Sequence, residues 1–147
     1  MNITMIRPID ILLVEDSPTD ALIAQEAFEQ ANLLNHLHIV EDGVEGLAFL
    51  RQQGRYAAAP RPDLILLDWN LPRKSGQEVL AELKADGELK TIPVVILTTS
   101  QAEADVTKAY GLYANCYIAK PVDFTNFAEA VEAVHQFWFN IVTLPRR

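Results

Sequence analysis

The run LILLD, residues 64–68, decides the fold of this chain. The run is too short for a typical helix, and its branched apolar residues follow one another without polar residues between them. Such a run predicts a β-strand that is buried on both faces, as strands of parallel sheets are. Strand-like runs also occur at residues 9–16, 36–40, 94–98 and 117–119.

Segments with helical spacing alternate with these runs. The spacing of their apolar residues predicts helices over residues 18–32, 43–53, 77–85, 103–110 and 123–139. We expect Ser17 to cap the first helix, because Ser is a favoured N-cap and Pro18 suits the first helical position. Gly54 is expected to end the second helix, as Gly often does.

Five strand–helix repeats indicate an α/β fold with a doubly wound, five-stranded parallel sheet, the flavodoxin-like (βα)5 arrangement. A length of 147 residues suits a single domain. We therefore predict one domain over residues 1–147, with a core at about 9–139. An extended C-terminal helix and a tail at 140–147 complete it.

The composition excludes several classes of protein. The chain has 12 basic and 20 acidic residues, a net charge of −8, which disfavours binding to the nucleic-acid backbone. The longest stretch without a charged residue, 133–145, is shorter than the roughly 20 apolar residues of a membrane span. A single cysteine, Cys116, excludes an internal disulfide. We expect a cytoplasmic protein that binds neither nucleic acid nor membrane.

Polar residues stand at the carboxyl ends of the predicted strands. These residues are Glu15, Asp16, Asp68, Thr98 and Lys120. The carboxyl ends of parallel strands share one edge of the sheet, where ligands bind. Carboxylates at one edge repel each other, which a cation relieves, and oxygen ligands with open water positions suit Mg²⁺. With a hydroxyl and an ammonium added, the set has the groups needed to move a phosphoryl group onto a carboxylate.

In these residues the chain resembles the receiver domain of two-component response regulators over nearly its whole length. The resemblance rests on Glu15-Asp16, on Asp68 followed by Leu71-Pro72 and Gly76, on Thr98, and on Lys120-Pro121. The stretch PRPDLILLDWNLPRKSGQEVLAELK and the ending FWFNIVTLP are similar to the stand-alone response regulators of cyanobacterial phytochrome histidine kinases.

The resemblance implies a role for each residue at the acidic edge. Asp68 would be the phosphoacceptor, which takes the phosphoryl group from a phosphohistidine of a light-regulated sensor kinase. Asp16 and Asp68 would bind Mg²⁺ directly, together with the backbone carbonyl of Asn70. Glu15 would act through a water molecule.

The resemblance also implies a switch. Thr98 and Lys120 would hold the phosphoryl oxygens, and Tyr117 would turn inward when Thr98 moves. The surface formed by the fourth helix, fifth strand and last helix would change and signal to a further protein. A cis peptide is expected before Pro121. The chain would then be a signalling protein and not an enzyme.

The C-terminal segment carries more apolar surface than one small domain easily covers. The residues concerned are Phe137, Trp138, Phe139, Ile141 and Leu144. Exposed apolar patches usually mark an interface, so we expect a homodimer through the last helix and tail. The alternative is that the tail folds back on its own domain.

Other interpretations of the acidic edge stay open. A phosphatase of the haloacid dehalogenase type would need a second Asp where Asn70 stands. A flavodoxin-like FMN module would need a phosphate loop where Glu15 and Asp16 stand, and these acids repel phosphate. A receiver that acts only as an adaptor would not need the acceptor set. Trp69, beside the acceptor, is expected either to gate the site or to pack the loop.

Overall fold

The structure is a computed structural model that describes residues 8–30, 35–98 and 116–119. Its centre is a five-stranded parallel sheet in the order β2-β1-β3-β4-β5. The strands are β1 (Ile9–Val14), β2 (Asn35–Val40), β3 (Leu64–Asp68), β4 (Val94–Thr98) and β5 (Cys116–Ala119). The predicted five-stranded parallel sheet is thus confirmed, and its strand order is the flavodoxin-like one. Residues 103–110 and 123–147, where further helices and a tail were predicted, lie outside the described residues.

Helices cover both faces of the sheet, and the side chains of β1, β3 and β4 divide between the two faces. The described helices are α1 (Pro18–Gln30), α2 (Gly43–Leu50) and α3 (Gly76–Ala85). In β1, Ile11 and Leu13 pack in one core with Phe28 of α1. Leu12 and Val14 pack in a second core with residues of α2 and α3. We call these the α1-side core and the α3-side core.

The central strand β3 contributes to both cores. All of its residues are buried, from Leu64 to Asp68. Leu64 and Leu66 belong to the α1-side core, whereas Ile65 and Leu67 belong to the α3-side core. Burying each such side chain stabilises the fold by about 1.5–3 kcal/mol. The unbroken apolar run therefore follows from two covered faces. The edge strand β2 is only partly buried.

Side chains fix where α1 and α3 begin. Ser17 caps α1 as predicted, because its Oγ accepts a hydrogen bond from the backbone N of Asp20 at 3.2 Å. Ser75 and Glu78 form a reciprocal capping box at the start of α3. This helix begins at Gly76, one residue before the prediction.

The second helix ends earlier than predicted. The backbone N of Gln53 donates to Ala48 O at 2.9 Å, and that of Gln52 donates to Phe49 O at 3.1 Å. These bonds form a Schellman motif with Gln52 in the left-handed region at φ 55. The prediction that Gly54 ends the helix was wrong, because the motif closes α2 first. Gly54 instead begins a short 3-10 helix, Gly54–Tyr56.

A close contact between backbone atoms holds the start of α3 against the end of β3. A Cβ on Gly76 would lie 2.3 Å from Asp68 O, so only glycine permits this approach. The Gly76 N–H donates to Trp69 O at 3.0 Å across the same contact. The chain therefore leaves the sheet at Asp68 and returns to it at Gly76. Of the helices in the described ranges, none is long and apolar enough to cross a bilayer.

Candidate functional site

Three acidic side chains meet where β1 and β3 end. Val14 of β1 pairs in register with Leu67 of β3, so the residues that follow, Glu15 and Asp68, stand side by side. Glu15, Asp16 and Asp68 each offer a carboxylate oxygen, and these oxygens lie within 4.8 Å of one another. Glu15 and Asp68 are each 2 % exposed, and Asp16 is exposed. The predicted acidic cluster therefore forms.

Backbone N–H groups hold two of these carboxylates in place. Glu15 Oε2 accepts a hydrogen bond from the Ser17 N–H at 3.1 Å. Asp68 Oδ1 accepts one from the Asn70 N–H at 3.2 Å, in a turn of the kind that Asp side chains form with their own backbone. Both contacts are local, so the carboxylates are oriented by the turns that leave the strands.

The donor set fits a hard divalent cation. It contains only oxygen atoms, and Mg²⁺ prefers oxygen ligands while keeping several waters. Two of the carboxylates are almost fully buried beside a third, and negative charges at this spacing repel one another. A bound cation removes that repulsion. The exposed Asp16 leaves the cluster open to solvent on one side.

The register of β3, β4 and β5 carries the other predicted residues to the same edge. Asp68 pairs with Leu97, and the next residue of β4, Thr98, pairs with Ala119 of β5. Lys120 directly follows Ala119 in the sequence. For Thr98 and Tyr117 the structure describes the backbone, with Tyr117 in register with Ile96. Lys120 and the peptide before Pro121 lie outside the described residues.

Trp69 packs the loop and does not line the mouth of the site. Its side chain is 6 % exposed and belongs to the α3-side core. Its backbone N–H donates to Leu97 O at 2.7 Å, which extends the pairing of β3 with β4. Of the two expectations for Trp69, loop packing fits this burial and a gate does not.

The loop from Asn70 to Ser75 makes a contact that the sequence did not indicate. Arg73 has a positive φ of 67, and the Lys74 N–H donates to Pro72 O at 2.7 Å, which closes a γ-turn around Arg73. Arg73 Nη1 donates to Asp42 Oδ2 at 3.0 Å and lies 3.9 Å from Glu45 Oε2. The loop that follows Asp68 is thereby tied to the start of α2.

A second group of polar side chains extends this contact. Tyr56 donates its hydroxyl proton to Glu45 Oε1 at 2.6 Å, and Arg55 Nη2 lies 2.7 Å from the same oxygen. The hydrogen bond from Tyr56 lowers the pKa of Glu45, and burial raises the pKa of Tyr56. A cavity of about 270 Å³ opens beside Arg73 and these residues. No local sequence pattern predicts the set, because its members come from separate segments.

Comparison with known proteins gives one consistent family. Residues 11–132 match the family described as response regulator receiver domain. The response regulator Rcp1 from Synechocystis sp. is 49 % identical over 135 residues, which cover 92 % of each chain.

Solved structures agree with this assignment. The Mn²⁺-bound form of response regulator Rcp1 superposes with a TM-score of 0.81 at 48 % identity. The phosphorylated cyanobacterial phytochrome response regulator RcpA superposes with a TM-score of 0.82 at 46 % identity. In both comparisons 95 % of this chain and all of the other chain are covered.

Proposed function

This chain belongs to the response regulator receiver family, and from that membership we propose that it accepts a phosphoryl group on Asp68. Receiver domains are in general signalling proteins that accept a phosphoryl group on an aspartate and bind Mg²⁺ at an acidic site. The observation that carries the proposal is the convergence of Glu15, Asp16 and Asp68 within 4.8 Å at the carboxyl edge of the sheet.

The proposed reaction is a phosphoryl transfer from a phosphohistidine. A carboxylate oxygen of Asp68 attacks the phosphorus atom, and the phosphorus–nitrogen bond breaks as the oxygen–phosphorus bond forms. The electron pair of the broken bond stays on the imidazole nitrogen, which takes up a proton. The product is an acyl phosphate on Asp68, and catalysis depends mainly on positioning and charge neutralisation.

The residues that would hold Mg²⁺ are those at the ends of β1 and β3. Asp16 and Asp68 would bind it through carboxylate oxygens, Asn70 through its backbone carbonyl, and Glu15 through a water molecule. Bound Mg²⁺ supplies positive charge against the transferring phosphoryl oxygens. The oxygen-only set and the crowding of two buried carboxylates support this assignment.

The proposed output is a change of surface. Thr98 and Lys120 hold the phosphoryl oxygens, and Tyr117 follows the movement of Thr98. The register supports this arrangement, because the β4 residue next to the partner of Asp68 pairs with the residue before Lys120. Phosphorylation adds about −1.5 to −2 charges, which is enough to bias a two-state surface made of the fourth helix, β5 and the last helix.

The proposed phosphodonor is a light-regulated phytochrome histidine kinase. The support is the similarity to RcpA, which is described as a cyanobacterial phytochrome response regulator. The chain would act in the cytoplasm, as one receiver domain over residues 1–147 with its core at about 9–139. Phosphotransfer from purified candidate kinases, with and without light, tests this pairing. Transfer from unrelated kinases alone would contradict it.

Asp68→Asn is the direct test of the acceptor. The variant should gain no phosphoryl group from acetyl phosphate and Mg²⁺, whereas the unchanged chain should gain one by intact mass. Glu41→Gln is the matched control, because Glu41 is an exposed acid that follows the neighbouring strand β2. It should be labelled like the unchanged chain. A phosphoryl group on Asp68→Asn at the same site would refute the assignment.

We further propose that the chain forms a homodimer through its last helix and tail. The support is the apolar set of Phe137, Trp138, Phe139, Ile141 and Leu144. The double variant Phe139→Glu, Ile141→Glu should sediment as a monomer where the unchanged chain sediments as a dimer. Removal of Arg146 and Arg147 alone should leave the dimer intact. Equal sedimentation of the double variant and the unchanged chain would favour a tail folded on its own domain.

A further inference from the structure

We propose that Arg73 is a positioning residue for the metal site. Its ion pair with Asp42 holds the loop after Asp68 in the conformation that presents the Asn70 carbonyl to the cation. The inference rests on the proposed function, since it concerns the same metal site. It adds a residue that itself binds neither the cation nor the phosphoryl group.

The loop that contains Asn70 is short and fixed at both ends. At its start, the Asn70 N–H donates to Asp68 Oδ1 at 3.2 Å. At its end, the Gly76 N–H donates to Trp69 O at 3.0 Å. With both ends fixed, the direction of the Asn70 carbonyl depends on the path of the residues in between.

Arg73 holds the middle of that path in an unfavourable conformation. Its φ of 67 is rare for a residue with a side chain, and the γ-turn from Pro72 to Lys74 closes around it. Such a conformation persists when the surroundings over-determine it. The guanidinium supplies the constraint, because Nη1 lies 3.0 Å from Asp42 Oδ2.

The anchor on the other side of the ion pair is rigid. Asp42 is buried, and its Oδ1 accepts the Glu45 N–H at 2.8 Å as the N-cap of α2. The backbone of the loop also lies close against the start of α2, since a Cβ on Gly43 would lie 2.1 Å from Lys74 O. Lys74 forms an ion pair with Glu82 of α3. The loop is therefore held between two helices.

The direction in which Mg²⁺ affinity changes when Arg73 is removed separates a positioning role from an electrostatic one. Arg73 carries a positive charge on the loop that borders the cation site. If it acted on the cation only through its charge, its removal would reduce repulsion and tighten Mg²⁺ binding. A positioning role predicts the opposite, because loss of the ion pair lets the Asn70 carbonyl leave its place.

Calorimetric titration of the full chain with Mg²⁺ tests this. We expect Arg73→Ala to weaken Mg²⁺ binding by about tenfold, the lower range for loss of a group that orients a metal ligand. Arg55→Ala is the matched control, because it removes an arginine from the same group around Glu45 but not from the loop. Its Mg²⁺ affinity should equal that of the unchanged chain or exceed it slightly.

Two further variants separate the ion pair from the backbone strain. Arg73→Gly removes the side chain and also relaxes the positive φ, so it should unfold at higher denaturant than Arg73→Ala while still binding Mg²⁺ weakly. Asp42→Asn keeps an N-cap residue but loses the ion pair. In the Asp42→Asn background, Arg73→Ala should weaken Mg²⁺ binding no further.

The outcomes are distinguishable. The positioning role would be overturned if Arg73→Ala and Arg73→Gly both fold, as judged by circular dichroism, and bind Mg²⁺ at least as tightly as the unchanged chain. That result would leave the proposed function intact. Failure of the unchanged chain to bind Mg²⁺ would overturn the metal assignment and the positioning role with it. If Arg73→Ala does not fold, Arg73→Gly decides in its place, because glycine adopts the positive φ of residue 73 without strain and should still bind Mg²⁺ more weakly than the unchanged chain.

Discussion

At the scale of single residues, Gln52 holds an unfavourable backbone conformation away from the site. It ends α2 with a φ of 55, a region that costs a residue with a Cβ about 1–2 kcal/mol. Its side-chain Nε2 donates to Ala59 O, and the contact is exposed. Gly is the usual residue at this position of a Schellman motif.

We therefore expect Gln52→Gly to stabilise the protein by about 0.5–1 kcal/mol, because the relief of backbone strain exceeds the entropic cost of glycine and the loss of one exposed hydrogen bond. Urea denaturation followed by circular dichroism measures the change. Gln53→Gly is the control, since Gln53 is also exposed but has a φ of −102. It should not stabilise. Equal effects of the two substitutions would show that Gln52 is not strained.

The residues at the acidic site could be predicted from the sequence, whereas their neighbours could not. Glu15, Asp16 and Asp68 follow apolar strands, and parallel strands bring their ends to one edge. The partner of Arg73 is Asp42, 31 positions away along the chain. That contact depends on the left-handed conformation of Arg73 and on the shape of two loops, neither of which has a periodic signal.

At the scale of elements, the capping box of α3 links helix stability to pH. Ser75 Oγ accepts the Glu78 N–H at 3.2 Å, and Glu78 Oε1 accepts the Ser75 N–H at 3.0 Å. The hydrogen bond from the Ser75 backbone lowers the pKa of Glu78 below its ordinary value of 4.5. Since the folded state holds the proton less tightly, this contribution is fully present above pH 4.5 and disappears as the pH falls through the lowered pKa.

We expect Glu78→Gln to remove this pH dependence, because glutamine can fill the capping box but does not titrate. The unchanged chain should lose stability relative to Glu78→Gln as the pH falls below 4.5, in urea denaturation at a series of pH values. Ser75→Ala should lower the free energy of unfolding by about 1 kcal/mol at neutral pH. Parallel stability curves for the two chains at acid pH would contradict the assignment.

Element positions followed from the sequence better than element ends did. β3 and β4 begin and end where their apolar runs do, because burial on both faces requires an uninterrupted run. The end of α2 was misplaced, because a Schellman motif can close at a glutamine when the chain beyond it supplies the bonds. Such a closure depends on where the following loop goes and not on local propensity.

At the scale of the whole molecule, we expect the acidic cluster to make the stability of the fold depend on divalent cations. Three carboxylates within 4.8 Å destabilise the cation-free protein by repulsion. A ligand that binds only the folded state stabilises it by about 2.7 kcal/mol at 100 times its dissociation constant. Mg²⁺ should therefore raise the free energy of unfolding by that amount at that concentration.

Asp16→Asn should change both the stability of the cation-free protein and the stabilisation that Mg²⁺ provides. In the presence of a chelator the variant should be more stable than the unchanged chain, because one negative charge has left the cluster. Added Mg²⁺ should stabilise the variant much less. Glu41→Gln, an exposed acid outside the cluster, should keep the full response to Mg²⁺. Equal Mg²⁺ responses of Asp16→Asn and the unchanged chain would remove Asp16 from the metal ligands.

The sheet also has a consequence for how such a chain can diverge. It separates an α1-side core from an α3-side core, and the exposed Leu22 of α1, 54 % accessible, lies across the sheet from the loop that carries Arg73. Substitutions that share no contacts change stability additively. A lineage can therefore accumulate changes on the outer face of α1, one at a time, without each change requiring a compensating one around Asp42 and Arg73.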